Sequence, residues 1–370
     1  MANSNLGDAK KAKNDEFYTQ YHDIEKEMNA YLDYNADVFK NKTILLPCDD
    51  PEWSNFTKYF AQNFDKLGLK KLISTSYAPN SKPKILNQQP TLFEMESPQF
   101  DELKTASNGK IFTLEKDKTG DHKIDVEDLE WSYLEGDGDF RSDEIKNLRD
   151  EADVIVTNPP FSLFRDFLGW IVEANKEFVV IGNMNAITYK EVFPLIKDNR
   201  MWLGNGFQSG NAFFSSPVNR DYASGVFDVE TGLVKFRNVI WFTTLEHGRR
   251  HKPLSLMTEA NNIKFSKHKE VKGVGYKRYV NFDGIEVPFT DAIPSDHEGA
   301  MGVPISFLDK YSPDQFQILG SSGDMGVAMS TIAERGAFQQ GGPSFYTKNE
   351  DGTYFRLYKR IVIKRKDETK

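Results

Sequence analysis

The chain of 370 residues holds one cysteine, Cys48. That excludes an internal disulfide framework and any cysteine-built zinc site. No apolar run approaches the roughly 20 residues that a membrane helix needs. The opening residues lack the apolar core of a signal peptide, so the expectation is a cytoplasmic protein with no membrane partner. There is no GxxxxGK[ST] phosphate loop, and no GxGxxG follows a strand. His247 and His251 lie one helical turn apart but lack the glutamate of a zinc-protease helix, and read as a basic surface. Residues 117–128 echo a calcium loop, yet His122 stands where the sharp turn requires glycine. The expectation is no metal.

What is present suits a large α/β protein. Hydrophobic residues make up 39% of the chain, enough for a core, and charged residues 28%. The net charge of −8 argues against a polyanionic partner until its distribution is considered. Residues 232–280 carry 11 Lys/Arg against 3 Glu and no Asp. The segment "FRLYKRIVIKRK", residues 355–366, adds six basic residues and no acid. Residues 101–160 hold 17 acids against 8 bases. A basic face on an otherwise acidic chain is what a nucleic-acid-binding protein shows, and a solvated charged surface is the plain alternative.

Strand and helix patterns alternate through the first two thirds. Residues 15–34 read as a helix with Tyr18, Tyr21, Ile24 and Met28 on one face. "TILLP" and "KKLISTSY" read as strands, with a helix between them capped by Gly68. Residues 79–130 are rich in Ser, Asn, Gln, Lys and Asp and read as an insertion with at most a hairpin. "EFVVIGN" is a further buried strand, followed by a helix over residues 186–197. Later segments such as "VKFRNVIWFTT" read as short strands. This alternation predicts a parallel, doubly wound sheet.

One stretch asks for chemistry. In "DVIVTNPPFSLF" a buried β-branched strand ends in Asn158, Pro159, Pro160 and Phe161 before an amphipathic helix begins. Two prolines end a strand well enough, but they do not explain an amide at its carboxyl end, where open α/β sheets bind ligands. The exocyclic amino group of a base is a poor nucleophile because its lone pair is delocalised into the ring. An amide oxygen and a fixed carbonyl that accept both N–H bonds localise that lone pair as the nitrogen becomes tetrahedral. Pro159 has no N–H and a locked φ, so it holds such a carbonyl rigidly, and Phe161 can stack on an extruded base. The reaction needs a methyl sulfonium and no metal. A plain turn is the competing reading.

The tetrapeptide resembles the catalytic motif of amino-methyltransferases that use S-adenosyl-L-methionine. Seven colinear blocks then resemble the EcoRI-type adenine-specific DNA methyltransferase family: "DEFYTQYHDIE", "CDDPEWSNFTKYF", "LGLKKLI", "GDGDFRS", "DVIVTNPPFSLFRDFL", "NAITYKEVFPLIK" and "GVPISFLDKYSPDQFQILG". The insertion and the last fifty or so residues resemble it weakly. The resemblance implies a Rossmann-like sheet with helices on both faces, over residues 1–245. It also implies a smaller basic DNA target-recognition region over residues 246–370. The implied reaction is methylation of the N6 amino group of adenine in double-stranded DNA, with base flipping. Asn158, Pro159, Pro160 and Phe161 match the catalytic motif. Asp139 and Phe140 match the motif that holds the donor's adenine ring, and Tyr18, Thr19 and Tyr21 the one that packs over its methionine. Helix-face packing remains the alternative for the two tyrosines. Pro47, Cys48, Asp49 and Asp50 stand where a glycine-rich first motif belongs, without its glycine.

On the DNA side, Arg249, Arg250, Lys252, Lys264, Lys267, Lys269, Lys272, Lys277 and Arg278 are expected phosphate contacts. A monomer is expected. No nuclease domain is apparent in the chain, so any cognate restriction endonuclease would be a separate protein. Methylation of RNA or of a protein glutamine, and a DNA-binding protein that has lost catalysis, stay open as alternatives.

Overall fold

Short aliphatic and β-branched runs set the centre of the fold. Thr43–Leu46 and Val154–Thr157 are buried at every position, as strands covered on both faces must be. The computed structural model describes residues 17–49, 54–78, 100–120, 124, 128–207, 211–216 and 224–366. These described residues form two compact units, one within Met1–Val192 and Met201–His247, the other within Phe193–Arg200 and Gly248–Lys370.

In the first unit the strands in chain order are β1 (Tyr18–Thr19), β2 (Thr43–Leu46), β3 (Lys71–Ser76) and β4 (Lys110–Leu114). Then come β5 (Glu130–Tyr133), β6 (Val154–Thr157), β7 (Glu177–Asn183) and β8 (Trp202–Leu203). The last are β9 (Asn211–Ser215), β10 (Phe227–Asp228), β11 (Leu233–Arg237) and β12 (Val239–Thr243). Eight of them form one sheet in the order β5-β4-β3-β2-β6-β7-β12-β8. Its centre, β3-β2-β6-β7, is parallel. The flanks are antiparallel, so the sheet is mixed where the alternation predicted a parallel one. From β2 the chain passes to β3 on one side, while β6 and β7 lie on the other, so the strand order reverses between β2 and β6. The carboxyl ends of β2, β3, β6 and β7 share one edge, which brings Asp49, Tyr77 and Asn158 to the same side of the sheet. β5 lies two antiparallel pairings from β3 and therefore delivers residues 137–140 to that edge too.

Three expectations change. The first helix runs Tyr21–Tyr34, because Tyr18–Thr19 is extended and pairs with β9. The polar stretch exceeds the expected hairpin: a short helix, Glu102–Ser107, precedes β4, and the antiparallel pair β4–β5 completes the main sheet, with Lys110, Phe112 and Leu114 buried in alternation. Residues 79–99 lie outside the described residues. The single helix expected over residues 186–197 is a 3-10 turn, Met184–Thr188, and a separate short helix, Phe193–Lys197. That helix falls within the second unit, where it contacts β15 (Phe316–Ser321).

The second unit contains β13 (Ile285–Glu286), β14 (Met301–Pro304), β15, the pair β16 (Tyr346–Lys348) and β17 (Tyr354–Arg356), and β18 (Arg360–Arg365). Part of the basic segment 355–366 is a central strand here, since β18 sits between β14 and β15 with Ile361, Val362 and Ile363 buried. Arg360 donates to both oxygens of Glu286, at 2.6 and 3.1 Å among other contacts, and Tyr279 donates to the same carboxylate at 2.5 Å. Burial and that neighbouring carboxylate push the Tyr279 phenol well above its ordinary pKa.

Candidate active site

The Asn158 turn is built by the strand before it and the helix after it. β6 ends at Thr157, the Pro160 carbonyl accepts from Leu163 N–H at 2.9 Å, and a 3-10 turn, Phe161–Leu163, leads into the helix Phe164–Glu173. That helix buries Phe164, Phe167, Leu168, Trp170 and Ile171. Phe164 lies where a side chain on Gly182 would be, since a Cβ there would come within 2.5 Å of its ring. Gly182 therefore lets the helix close on β7.

Asn158 is held from one side only. Its Nδ2 donates to the Phe17 carbonyl at 2.7 Å, whereas its Oδ1 is buried and has no hydrogen-bond partner. The amide is thus oriented, with its acceptor left over. Phe161 is half-buried beside a set of rings. Phe17 lies nearly parallel to it at 6.5 Å, with Phe236 at 5.8 Å and Phe214 at 6.3 Å edge-on. Phe17 did not emerge from sequence reasoning. Its block was visible, but a contact made through a main-chain carbonyl has no residue signature.

The loop after β2 is closed by side chains. Pro47 and Asp49 are buried and Cys48 is half-buried. Asp49 accepts from the Ser54 hydroxyl at 2.7 Å and from the Thr157 hydroxyl at 2.6 Å. Its carbonyl accepts from the Ser74 hydroxyl. Side-chain hydrogen bonds therefore close this turn across the ends of β2, β3 and β6. Asp50 lies outside the described residues.

Asp139 and Phe140 also reach this edge. Gly138 takes φ +86°, and a Cβ there would collide with the Ser76 carbonyl, so the loop lies directly on the end of β3. Asp139 is gripped by Arg141, Nε to Oδ1 at 2.9 Å and Nη2 to Oδ2 at 2.5 Å. That pair holds the Arg141 guanidinium above its ordinary pKa. Phe140 is buried edge-on against Phe167 and Trp170. Tyr18 and Thr19 lie in β1. The Thr19 carbonyl accepts from Asn55 at 2.8 Å, while the buried Thr19 Oγ1 has no partner. Tyr21 opens the first helix, donates to Gln62 at 3.0 Å and packs on Tyr59.

The basic residues of the second unit divide sharply. Arg250 is buried, and its Nη2 donates to Asn199 at 3.0 Å. Arg249 pairs with Asp309 at 2.5 Å, Lys267 with Asp291 at 2.7 Å and Arg278 with Asp283 at 3.4 Å. Lys264 lies over the Phe265 ring at 5.0 Å. Lys252, Lys269, Lys272 and Lys277 are exposed. Among the described residues, no group of histidine, cysteine, aspartate and glutamate could hold a metal ion.

The family described as adenine-specific methyltransferase EcoRI matches residues 5–366. The chain belongs to that family. It is 40% identical over 320 residues to the type II methyltransferase M.EcoRI of Escherichia coli, covering 86% of this chain and 89% of that one. It is 33% identical to M.MgeORF184P of Mycoplasma genitalium, over 96% of this chain and 97% of the relative. It is 31% identical to M.MpnI of Mycoplasma pneumoniae, over 97% of each. Both are likewise named type II methyltransferases. No solved structure matches the chain.

Proposed function

We propose that this adenine-specific DNA methyltransferase moves the methyl group of S-adenosylmethionine to the N6 amino group of an adenine rotated out of double-stranded DNA. The observation that carries the reading is the Asn158 amide: its nitrogen is committed to the Phe17 carbonyl and its oxygen is buried without a donor. A buried acceptor left unpaired costs about 1–3 kcal/mol, so its persistence points to a partner that arrives with the substrate.

The residues at the edge fit a methyl donor of this kind. Asp139 is fixed by Arg141 and keeps acceptor capacity for an adenine amino group, because a carboxylate offers about four lone-pair sites. Thr19 Oγ1 is a buried polar atom awaiting a partner, and Asp49 anchors the loop after β2. Bound there, S-adenosylmethionine supplies an electrophilic methyl group on a sulfonium. Asn158 Oδ1 and the Pro159 carbonyl would accept the two N–H bonds of the adenine amino group, and the Phe161 ring would support the base. Fixed placement carries much of the rate, and no strong general base is required. The Rossmann-like reading of the sheet belongs to the same proposal, supported by the strand-order reversal between β2 and β6.

The second unit would grip the duplex as the target-recognition region, through its exposed lysines rather than through Arg250. We keep Lys252, Lys264, Lys269, Lys272 and Lys277 as the phosphate contacts with most to offer. Arg249, Lys267 and Arg278 would first have to exchange a carboxylate for a phosphate. The protein would act as a monomer in the cytoplasm, alongside a separate nuclease if it serves restriction and modification. Mapping N6-methyladenine in the DNA of cells expressing the protein tests this reading. Methyladenine at one short sequence, absent from an Asn158→Ala strain, is the expected result, and unmethylated DNA in both strains would overturn it.

A further inference from the structure

We propose that Arg165 is a phosphate-binding residue at the mouth of the adenine site, held in place by Tyr189. Arg165 lies in the first turn of the helix that follows the Asn158 turn, and Tyr189 follows the 3-10 turn that leaves β7. β6 and β7 pair in parallel, Thr157 opposite Val180, so both segments start from neighbouring strand ends. The Arg165 guanidinium lies over the Tyr189 ring, 4.4 Å from its centroid. Arg165 is exposed, Tyr189 is half-buried, and among the described residues no carboxylate pairs with Arg165.

Stacking on an aromatic ring uses the flat face of a guanidinium and leaves the N–H donors at its edge free. Those donors form a rigid fork whose geometry matches phosphate oxygens. Residues 101–160, which precede this helix in the chain, hold 17 acids against 8 bases. A nucleotide rotated toward Asn158 carries its phosphates with it, and a preset cation there would offset repulsion from such acids. Tyr189 is thus a positioning residue for Arg165. The inference rests on the reading that DNA is presented at the carboxyl edge of the sheet.

The test is anisotropy titration of a mixed-sequence duplex over a salt series, with calorimetric binding of S-adenosylmethionine as the control. Arg165→Ala should bind DNA about tenfold more weakly and lower the slope of log affinity against log salt by about 0.9, the loss of one phosphate contact. Arg165→Lys should keep most of the slope, Tyr189→Phe should behave as the parent, and Tyr189→Leu should weaken binding by less than Arg165→Ala. Donor affinity should stay unchanged in all four. An Arg165→Ala protein with the parental slope and affinity overturns the inference. If reversal of Lys252, Lys269, Lys272 and Lys277 to Glu still flattens the slope, only Arg165 has been misassigned. If neither change moves the slope, the DNA-binding reading fails with it.

Discussion

The carboxyl edge of the eight-stranded sheet and the basic stretch of residues 249–278 both attract attention in the sequence, for opposite reasons. At the sheet edge, polar groups are buried, and the backbone decides what they meet. Asn158 has one end tied and one end open, and Asp49 is fixed by two hydroxyls. In the basic stretch the charges are numerous, but their environments differ residue by residue. Arg250 is interior, Arg249, Lys267 and Arg278 are ion-paired, and Lys252, Lys264, Lys269, Lys272 and Lys277 are exposed. Residue type at a strand end constrains the local backbone closely, whereas a count of charges does not report which of them face solvent.

The largest effect that would sharpen this contrast is on stability. Arg360 and Glu286 have side chains 13% and 9% exposed, a nearly buried pair. Arg360→Ala should destabilise the second unit by about 3–5 kcal/mol, since it strands a buried carboxylate. Chemical denaturation followed through that unit's transition measures it. A loss near zero would return Arg360 to the set of free surface cations. Next in size is the donor site. Asp139→Ala should weaken S-adenosylmethionine binding by about 1.5–3 kcal/mol, the scale of a hydrogen bond to a charged group, with DNA affinity unchanged. Unaltered donor affinity in calorimetry would reduce residues 136–140 to a turn. The smallest effects belong to the exposed lysines. Lys252→Ala and Lys277→Ala should each change stability by less than about 0.5 kcal/mol. Each should also flatten the salt dependence of DNA binding by about 0.9 where it meets a phosphate. A large loss of stability in either would mean that the division drawn within the basic stretch is wrong.

These contrasts also show which parts of the protein could be read from residues alone. The strand-then-Asn158 turn was legible because a buried β-branched run, two prolines and a following helical period each constrain the same few positions. Gly68 was legible as a helix cap, and takes φ +64°. The pairing of Phe17 with Asn158 was not, because the main-chain carbonyl of any residue could serve. β4 hid in a polar stretch, since its alternation depends on Lys110 being buried, with its ammonium 5.8 Å from the centre of the Trp131 ring. Tyr18 and Thr19 were read into a helix because their spacing suits one. Pairing with Ser215 and Phe214, almost 200 residues away, overrides that local preference.

The proposed chemistry depends on the unpaired oxygen of Asn158. Single-turnover methylation of DNA by the Asn158→Ala protein, at saturating S-adenosylmethionine, tests it most directly. The expected outcome is a loss of roughly a hundredfold or more in the rate of methyl transfer, the scale for removing one fixed hydrogen-bond partner from a transition state. Donor binding and the folded structure should be retained. A rate within a few-fold of the parent would contradict the central claim and reduce Asn158 to the end of a strand.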